Sequence, residues 1–160
     1  PTTLPDPVGV EVRRVQTALQ MRDEVMKALA GADALVMAAA VADYRPLAIA
    51  PSKIKKGAEH LSLELVRNPD ILDEARGDFV RVGFAAESEN LIENAREKVF
   101  RKKLSLMAAN DISAKDAGFA VDTNRVTLID AGGGVEQLPL LSKAQVAEIV
   151  LERIEKLLKQ

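Results

Sequence analysis

The chain has 160 residues, 48% hydrophobic and 29% charged, with a formal net charge of −2, which is enough for one domain with a core and excludes a global basic field for nucleic acid. It has no cysteine and a single histidine, His60, which excludes a disulfide framework, a thiolate metal site and a multi-histidine zinc site. No segment approaches the roughly 18–20 apolar residues that span a bilayer, so we expect no membrane partner and a cytoplasmic location.

The beginning of the chain predicts a β-α-β unit. Residues 10–15 alternate partly between apolar and charged side chains, which is typical of a short strand. Thr17 and Gln20 have the spacing of a capping box, so a helix is expected to begin there. The uncharged run 34–40 follows the helix pattern and predicts a buried parallel strand.

The segment after this strand carries an acid and a cluster of bases. Asp43 comes first, and Lys53, Lys55 and Lys56 follow within 13 residues of it. Ligands of open α/β sheets lie outside the carboxyl ends of the strands, so this segment should cover a binding crevice. An acid for a hard cation and bases for an anion suit a nucleoside triphosphate with its metal. Residues 61–66 alternate at period two, and we expect them to form an arm or hairpin outside the main sheet.

The second half alternates predicted strands and helices. Asn68 and Pro69 have the character of an N-cap and a first helical residue, so a helix should begin there. The other predicted elements are strands at 79–84 and 104–109, a helix at 90–103, a hairpin formed by 125–130 and 135–140, and a last helix that Ser142 and Gln145 open with a second capping box.

This order implies an α/β class fold with three layers and a mostly parallel sheet, which we assign to a single domain, residues 1–160. The Gly-rich turn that usually opens a nucleotide-binding α/β domain is absent from the sequence. The glycines at 132–134 lie in the predicted hairpin, where turn geometry explains them. Phosphates are therefore held in another way, or the Gly-rich turn lies upstream of Pro1.

Several short segments in series closely resemble the phosphopantothenoylcysteine synthetase family. The resemblance covers about residues 4–158 and implies a Rossmann-like fold and a homodimer. A lysine-rich arm, residues 53–66, would reach into the partner's site. In bacteria the enzyme is usually the carboxy-terminal half of a bifunctional coenzyme A biosynthesis protein. The matching segments are residues 39–44 (AAVADY), 53–56 (KIKK), 68–71 (NPDI), 83–87 (GFAAE), and 102–103 (KK) with 109–111 (AND).

The resemblance implies the CTP-dependent ligation of 4′-phosphopantothenate with cysteine, in coenzyme A biosynthesis. CTP would activate the carboxylate as an acyl-cytidylate with release of pyrophosphate; the cysteine amine would then displace CMP. Mg²⁺ would accompany CTP, and FMN is expected only if a decarboxylase domain precedes this domain in the parent chain. The residues themselves do not distinguish CTP from ATP or UTP.

The family pattern also implies site residues. Asp43 would hold the Mg²⁺, Lys53 would neutralise charge on the triphosphate or the acyl-cytidylate as the catalytic candidate, and Phe84 would pack against the nucleotide. The remaining nucleotide-binding candidates are Met37, Ala38, Ala39, Asn68, Pro69, Asp70, Ile71, Lys98 and Lys102.

Each candidate also has an ordinary structural explanation. Asp43 could cap a turn, the lysines of 53–56 could be a solvated loop, and Phe84 could belong to the core. Lys98 and Lys102 are four residues apart, which is common on an exposed helix face. Residues of these kinds therefore indicate the site only in combination.

Two other functions compete with the ligase. A Rossmann-type oxidoreductase would carry a Gly-rich turn and usually a tyrosine–lysine pair, for which Tyr44 and Lys53 are poor substitutes. A non-catalytic dimerisation module would use only the arm. The family also has an amino-terminal segment with a Gly-rich turn and an asparagine that acts on the acyl-cytidylate, and neither is in this sequence. We therefore expect the isolated 160 residues to bind CTP weakly at best and not to complete the reaction.

Overall fold

The computed structural model describes residues 4–55, 57, 59–113 and 121–159. In these residues, helices alternate with strands along most of the chain. The elements in chain order are α1 (Ala18–Ala28), β1 (Ala34–Met37), β2 (Tyr44–Pro46), β3 (Leu65–Arg67), α2 (Ile71–Glu74), β4 (Val80–Glu87), α3 (Leu91–Lys102), β5 (Leu106–Asp111), β6 (Thr123–Asn124), β7 (Val126–Asp130), β8 (Val135–Gln137), β9 (Leu141–Ser142) and α4 (Lys143–Leu158).

The main sheet has the strand order β1-β4-β5-β7-β8 in the described part of the chain. β1, β4 and β5 run parallel, β7 is antiparallel to β5, and β8 is antiparallel to β7. The predicted α/β class is confirmed. The sheet is mixed rather than mostly parallel, because the predicted hairpin is present and adds both of its strands in antiparallel orientation.

Helices cover both faces of this sheet. Alternate residues of β5 face opposite layers, as the period of a strand requires. Leu106 lies in the hydrophobic cluster that Val150 of α4 covers. Met107 lies in the cluster that Val99 of α3 covers, together with Leu72 of α2. The three-layer arrangement is therefore the one that the sequence predicts.

The two predicted capping boxes are both present. The hydroxyl of Thr17 accepts a hydrogen bond from the Gln20 backbone N–H at 3.1 Å, and the Gln20 side chain accepts one from the Thr17 N–H at 3.1 Å. Ser142 and Gln145 repeat this exchange at 3.2 and 3.0 Å. Both boxes are local patterns, so the sequence specifies them without reference to the rest of the fold. No helix in the described residues is long and apolar enough to cross a membrane.

The predictions for the first strands are partly wrong. Residues 10–15 form no strand, and Val12 and Val15 are exposed. β1 is shorter than the predicted run of 34–40 and is half-buried rather than buried. Residues 10–15 have no neighbouring strand among the described residues, so they lack the hydrogen bonds that favour a strand. β1 pairs only with β4 at the edge of the sheet, and no side chain of α1 is buried, which leaves β1 half-buried.

The predicted arm lies outside the main sheet. β2 pairs with β3 in a separate antiparallel pair, with Tyr44 opposite Arg67 and Pro46 opposite Leu65. The strand predicted at 61–66 is therefore displaced toward the end of that segment. Lys56 of the lysine cluster lies outside the described residues. Whether the arm joins two copies of the chain stays a prediction.

Candidate functional site

A cleft of about 520 Å³ opens where β1 ends and β4 continues. We call it the Asp43 cleft. Its walls come from the chain that follows β1, from the segment that leads from β3 into α2, and from the last turn of α3. It is lined by nine of the twelve predicted site residues, namely Met37, Ala39, Asp43, Asn68, Pro69, Asp70, Ile71, Phe84 and Lys102.

A glycine in β4 holds α2 close to this cleft. A Cβ at Gly83 would lie 3.0 Å from side-chain carbons of both Leu72 and Leu104. Leu72 belongs to α2 and is buried. The missing side chain at position 83 therefore lets α2 approach the strand, and α2 carries the residues that form one wall of the Asp43 cleft.

Asn68 joins the base of the arm to the end of the sheet. Its side-chain nitrogen donates to the carbonyl of Ala42 at 2.8 Å, and its side-chain oxygen accepts from Arg45 at 3.1 Å. Its backbone N–H donates to the carbonyl of Asp43 at 2.7 Å. These bonds hold the backbone of residues 42–43 against the start of the α2 segment. The prediction that Asn68 caps the helix is wrong, because its side chain bonds these more distant groups instead.

Asp70 is the N-cap of α2. Its Oδ1 accepts from the Asp73 N–H at 3.1 Å, and its Oδ2 lies 2.6 Å from the ammonium group of Lys102. Partial burial acts to raise the pKa of Asp70, but the hydrogen bonds from Lys102 and Asp73 outweigh it, and the pKa lies below its ordinary value. Asp70 is therefore an anion at neutral pH, and Lys102 is held beside it.

Asp43 is exposed at the rim of the cleft. In the described residues its carboxylate makes no hydrogen bond or ion pair, so it is available to a cation. No group of three metal-ligating side chains is found in the same part of the chain. Mg²⁺ keeps several waters and is commonly held by one or two carboxylates together with substrate phosphates. The donor set fits a magnesium ion that arrives with a nucleotide, and it does not form a cage for an isolated metal.

Three predicted residues do not line the Asp43 cleft. Lys98 contacts the carboxylate of Glu87, which is nearly buried at the end of β4. Ala38 is exposed next to the cleft. Lys53 is exposed on the arm and does not reach the cleft of its own chain. The roles predicted for these residues stay predictions.

Two further cations line the cleft that sequence reasoning missed. Arg67 precedes Asn68 at the end of β3, and Arg101 precedes Lys102 in the last turn of α3. Their adjacency to predicted site residues was the available signal. The spacing of four residues between Lys98 and Lys102 predicted Lys98 as a site residue instead. Arg67, Arg101 and Lys102 thus stand beside the carboxylates of Asp43, Asp70 and Asp73, and the cleft carries charges of both signs.

The chain matches a known family over almost its whole length. The family described as the DNA/pantothenate metabolism flavoprotein C-terminal domain matches residues 1–158. The chain is 39% identical over 164 residues to the coenzyme A biosynthesis bifunctional protein CoaBC of Bacillus subtilis, a match that covers 100% of this chain and 40% of that protein. It is 41% identical over 162 residues to the CoaBC of Vibrio cholerae, which covers 96% of this chain and 40% of that protein.

A solved structure agrees with these matches. The crystal structure of the C-terminal domain of a coenzyme A biosynthesis bifunctional protein CoaBC superposes with a TM-score of 0.80 at 33% identity. That similarity covers 99% of this chain and 71% of the solved chain. The chain thus spans about 40% of the length of the curated relatives that it matches.

Proposed function

Since the chain belongs to the family of DNA/pantothenate metabolism flavoprotein C-terminal domains, we propose that it acts in coenzyme A biosynthesis as a CTP-dependent ligase of 4′-phosphopantothenate and cysteine. One observation carries the proposal. Nine residues that the family resemblance assigns to the nucleotide site line a single cleft, although they come from four separate parts of the chain. A chance collection of exposed residues would not meet in this way.

The charges of the cleft suit the first half-reaction. A carboxylate oxygen of 4′-phosphopantothenate attacks the α-phosphorus of CTP, the bond to the bridging oxygen breaks, and pyrophosphate leaves. Arg67, Arg101 and Lys102 would offset the charge of the phosphates, and Asp43 would hold the magnesium ion that accompanies them. The small side chains of Ala39 and Ala42 leave the backbone open to the base and the ribose.

The second half-reaction needs a positioned acyl-cytidylate. The cysteine nitrogen attacks the acyl carbon, the bond to the cytidylate oxygen breaks, CMP leaves, and the ammonium proton passes to solvent. Lys53 is the candidate for neutralising the charge that develops on the leaving group. Its ammonium group is free to act on a site other than that of its own chain, because Lys53 is exposed on the arm.

We propose that a second copy of the chain receives this arm. A two-stranded hairpin is only marginally stable by itself. This one also exposes large apolar side chains, with Ile49 at 91% and Leu61 at 65% exposure, and others at Leu47, Ile54 and Leu63. Covering these side chains in a homodimer would remove apolar surface from water and bring Lys53 to the neighbouring Asp43 cleft.

The alternative oxidoreductase is not favoured. Tyr44 lies in β2, which pairs with β3, and neither Tyr44 nor Lys53 lines the Asp43 cleft. The two remaining functions differ in nucleotide binding, because a non-catalytic dimerisation module would bind no nucleotide in the Asp43 cleft and the ligase would. Nucleotide binding therefore separates the three functions.

The test is calorimetric titration of the chain with CTP, ATP and NAD, each with Mg²⁺. We expect CTP to bind more tightly than ATP or NAD. Asp43→Asn should weaken Mg²⁺-dependent CTP binding by about tenfold or more, which is about 1.4 kcal/mol. Asp33→Asn is the matched control, because Asp33 is an exposed carboxylate that does not line the cleft.

A variant and a matched control test the role of the arm in the same way. Lys53→Gln should weaken CTP binding in the dimer, whereas Lys55→Gln removes the same charge two residues away and should leave it unchanged. Tighter binding of NAD than of CTP would favour the oxidoreductase. A dimer that binds none of the three nucleotides would favour the dimerisation module and would contradict the ligase.

A further inference from the structure

A second and larger cleft lies beside the amino end of β5. Its volume is about 1130 Å³. It is formed by the last turns of α3 and α4, by the residues that lead into β5, and by the turn between β7 and β8. We call it the Lys103 cleft after the residue that ends α3. None of the roles assigned to the Asp43 cleft requires it.

The Lys103 cleft is strongly basic. Five cationic side chains and one carboxylate line it, namely Arg96, Arg101, Lys103, Arg153 and Lys156 with Asp130. Asp130 is already engaged, because its Oδ1 accepts the Gly134 N–H at 2.8 Å within the turn. Its charge therefore offsets only a small part of the cationic lining.

Two of these cations are not committed to a protein group. Arg96 donates to the carbonyl of Gly133 at 3.1 Å, Arg153 contacts the carboxylate of Glu136, and Arg101 lies 3.9 Å from the carboxylate of Glu97. Lys103 and Lys156, by contrast, are exposed and pair with no carboxylate within residues 4–55, 57, 59–113 and 121–159.

The helix dipole explains part of this arrangement. Cations are favoured in the last turn of a helix, so a lysine at the end of α3 or α4 needs no ligand by itself. The dipole acts on each helix separately, however, and does not require both ends to face one cleft. Lys103 also adopts a left-handed backbone conformation with φ of 51°, which favours glycine at this position of a helix end.

The cleft also has apolar walls. Val99, Leu104 and Ile129 belong to the core and line its floor. Phe100 lies at the same cleft and is 87% exposed, which is unusual for so large an apolar side chain. An aromatic face next to several cations is a surface on which a flat anion can stack and pair at once.

We propose that the Lys103 cleft binds a small organic anion with an aromatic or other apolar body. Its volume of about 1130 Å³ lies slightly above the range of about 300–1,000 Å³ that is usual for small-molecule sites, so a small organic molecule fits within it. A simple inorganic anion would leave the apolar walls and Phe100 unused. A neutral apolar molecule would leave Lys103 and Lys156 without a partner. Only a molecule with both features complements the whole surface.

The test is a titration of the ¹⁵N-labelled chain followed by NMR. The probe is 1-anilinonaphthalene-8-sulfonate, which combines an aromatic body with one negative charge. We expect amide shifts in residues 99–106 and 129–133. Methanesulfonate supplies the charge without the apolar body, and N-phenyl-1-naphthylamine supplies a similar body without charge. Both should bind more weakly than the anilinonaphthalene sulfonate.

Variants decide whether the cations are responsible. The double variant Lys103→Gln/Lys156→Gln should weaken binding of the sulfonate about threefold or more, because each exposed pair contributes a modest amount. The double variant Lys27→Gln/Lys55→Gln loses the same charge at two exposed positions outside both clefts and should bind the sulfonate as the unmodified chain does. Phe100→Ala provides a second variant at an exposed position that does not disturb the core. Arg101 is left unchanged because it lines both clefts.

Several results would overturn the proposal. They are shifts confined to the arm or to the Asp43 cleft, equal affinities of the two double variants, and equal or tighter binding of methanesulfonate or of the neutral naphthylamine. The outcome does not depend on the proposed ligase, since no probe is a nucleotide and Lys103 has no part in that reaction.

Discussion

The ammonium group of Lys102 lies 2.6 Å from the carboxylate of Asp70, and this pair joins the end of α3 to the beginning of α2 in one wall of the Asp43 cleft. Lys102 is only 18% exposed at its side chain, so the pair is partly shielded from solvent. The charge of Lys102 is therefore already shared with a carboxylate, whereas Arg67 and Arg101 make no such bond to Asp70.

The first prediction separates the two roles of Asp70. Asp70→Ala removes both the helix cap and the ion pair, and should lower the free energy of unfolding by about 1–2 kcal/mol. Asp70→Asn keeps a side chain that caps α2 and loses only the ionic contact with Lys102, so it should cost less. Urea denaturation of the three proteins at pH 7 measures the difference. Equal losses in the two variants would show that the cap contributes nothing.

The same pair gives a pH dependence. The pKa of Asp70 is lowered in the folded chain, because the Lys102 and Asp73 hydrogen bonds outweigh the opposing effect of burial. A lowered pKa contributes stability above the unfolded value of about 3.9 and loses it as the pH falls through the folded value. The difference between the unmodified chain and Asp70→Asn should therefore be constant near pH 7 and shrink below about pH 4.

The second prediction concerns the hold of Asn68 on the arm. Asn68→Ala removes the bonds to Ala42 and Arg45, and should raise the hydrogen-exchange rates of amides in β2 and β3 more than those in β5. Asn68→Asp keeps the acceptor for Arg45 and loses the donor to Ala42, so its effect should be smaller. Asn94→Ala is the control, because Asn94 contacts Glu87 and Glu89 away from the arm. Equal exchange in β2 for Asn68→Ala and the control would contradict the assignment.

The hydrogen bonds of Asn68 show which features of the structure the sequence could predict and which it could not. The capping boxes at Thr17 and Ser142 are complete within four residues, and both were predicted correctly. Asn68 and Asp70 are both good caps for the same helix, and the choice between them depends on Ala42 and Arg45, which lie more than twenty residues earlier. A local pattern does not contain that information.

The same limit explains why the sequence did not predict the partner of Lys98. Its spacing to Lys102 predicts one helix face correctly, but the partner at each end of that face is set by the sheet. Lys98 forms an ion pair with Glu87, and Lys102 forms one with Asp70. The strand at 10–15 failed for a related reason, since its alternation is present but the described chain offers it no neighbouring strand. Most of the cleft was still predicted, because the family resemblance supplied long-range information that periodicity does not.

The third prediction tests a buried cation near the Asp43 cleft. Arg81 is 5% exposed and donates to the backbone carbonyls of Leu72 in α2 and Lys103 at the end of α3. Arg81→Met should lower the free energy of unfolding by about 2–4 kcal/mol, because it leaves carbonyls at two helix ends without a donor. Arg81→Lys keeps one charged donor and should cost less.

Arg76→Met is the matched control for this variant. Arg76 is an exposed arginine whose ion pair with Asp73 spans three residues, so its loss should change stability by less than about 0.5 kcal/mol. Thermal denaturation monitored by circular dichroism measures all three variants. An Arg81→Met protein as stable as the control would show that solvent satisfies these carbonyls.

The last prediction is that replacing Lys103 increases the stability of the chain and weakens ligand binding in the Lys103 cleft. A non-glycine residue with φ of 51° is strained, and glycine adopts this conformation readily. Lys103→Gly should therefore raise the free energy of unfolding by about 0.5–1 kcal/mol, while it lowers the affinity of the Lys103 cleft for 1-anilinonaphthalene-8-sulfonate. The control is Asn90→Gly, which relieves a similar φ of 48° at the other end of α3 and should leave that affinity unchanged. A gain in stability together with a loss of binding at position 103 alone would mean that the lysine is kept for its charge, because the backbone at this position would be more stable without it.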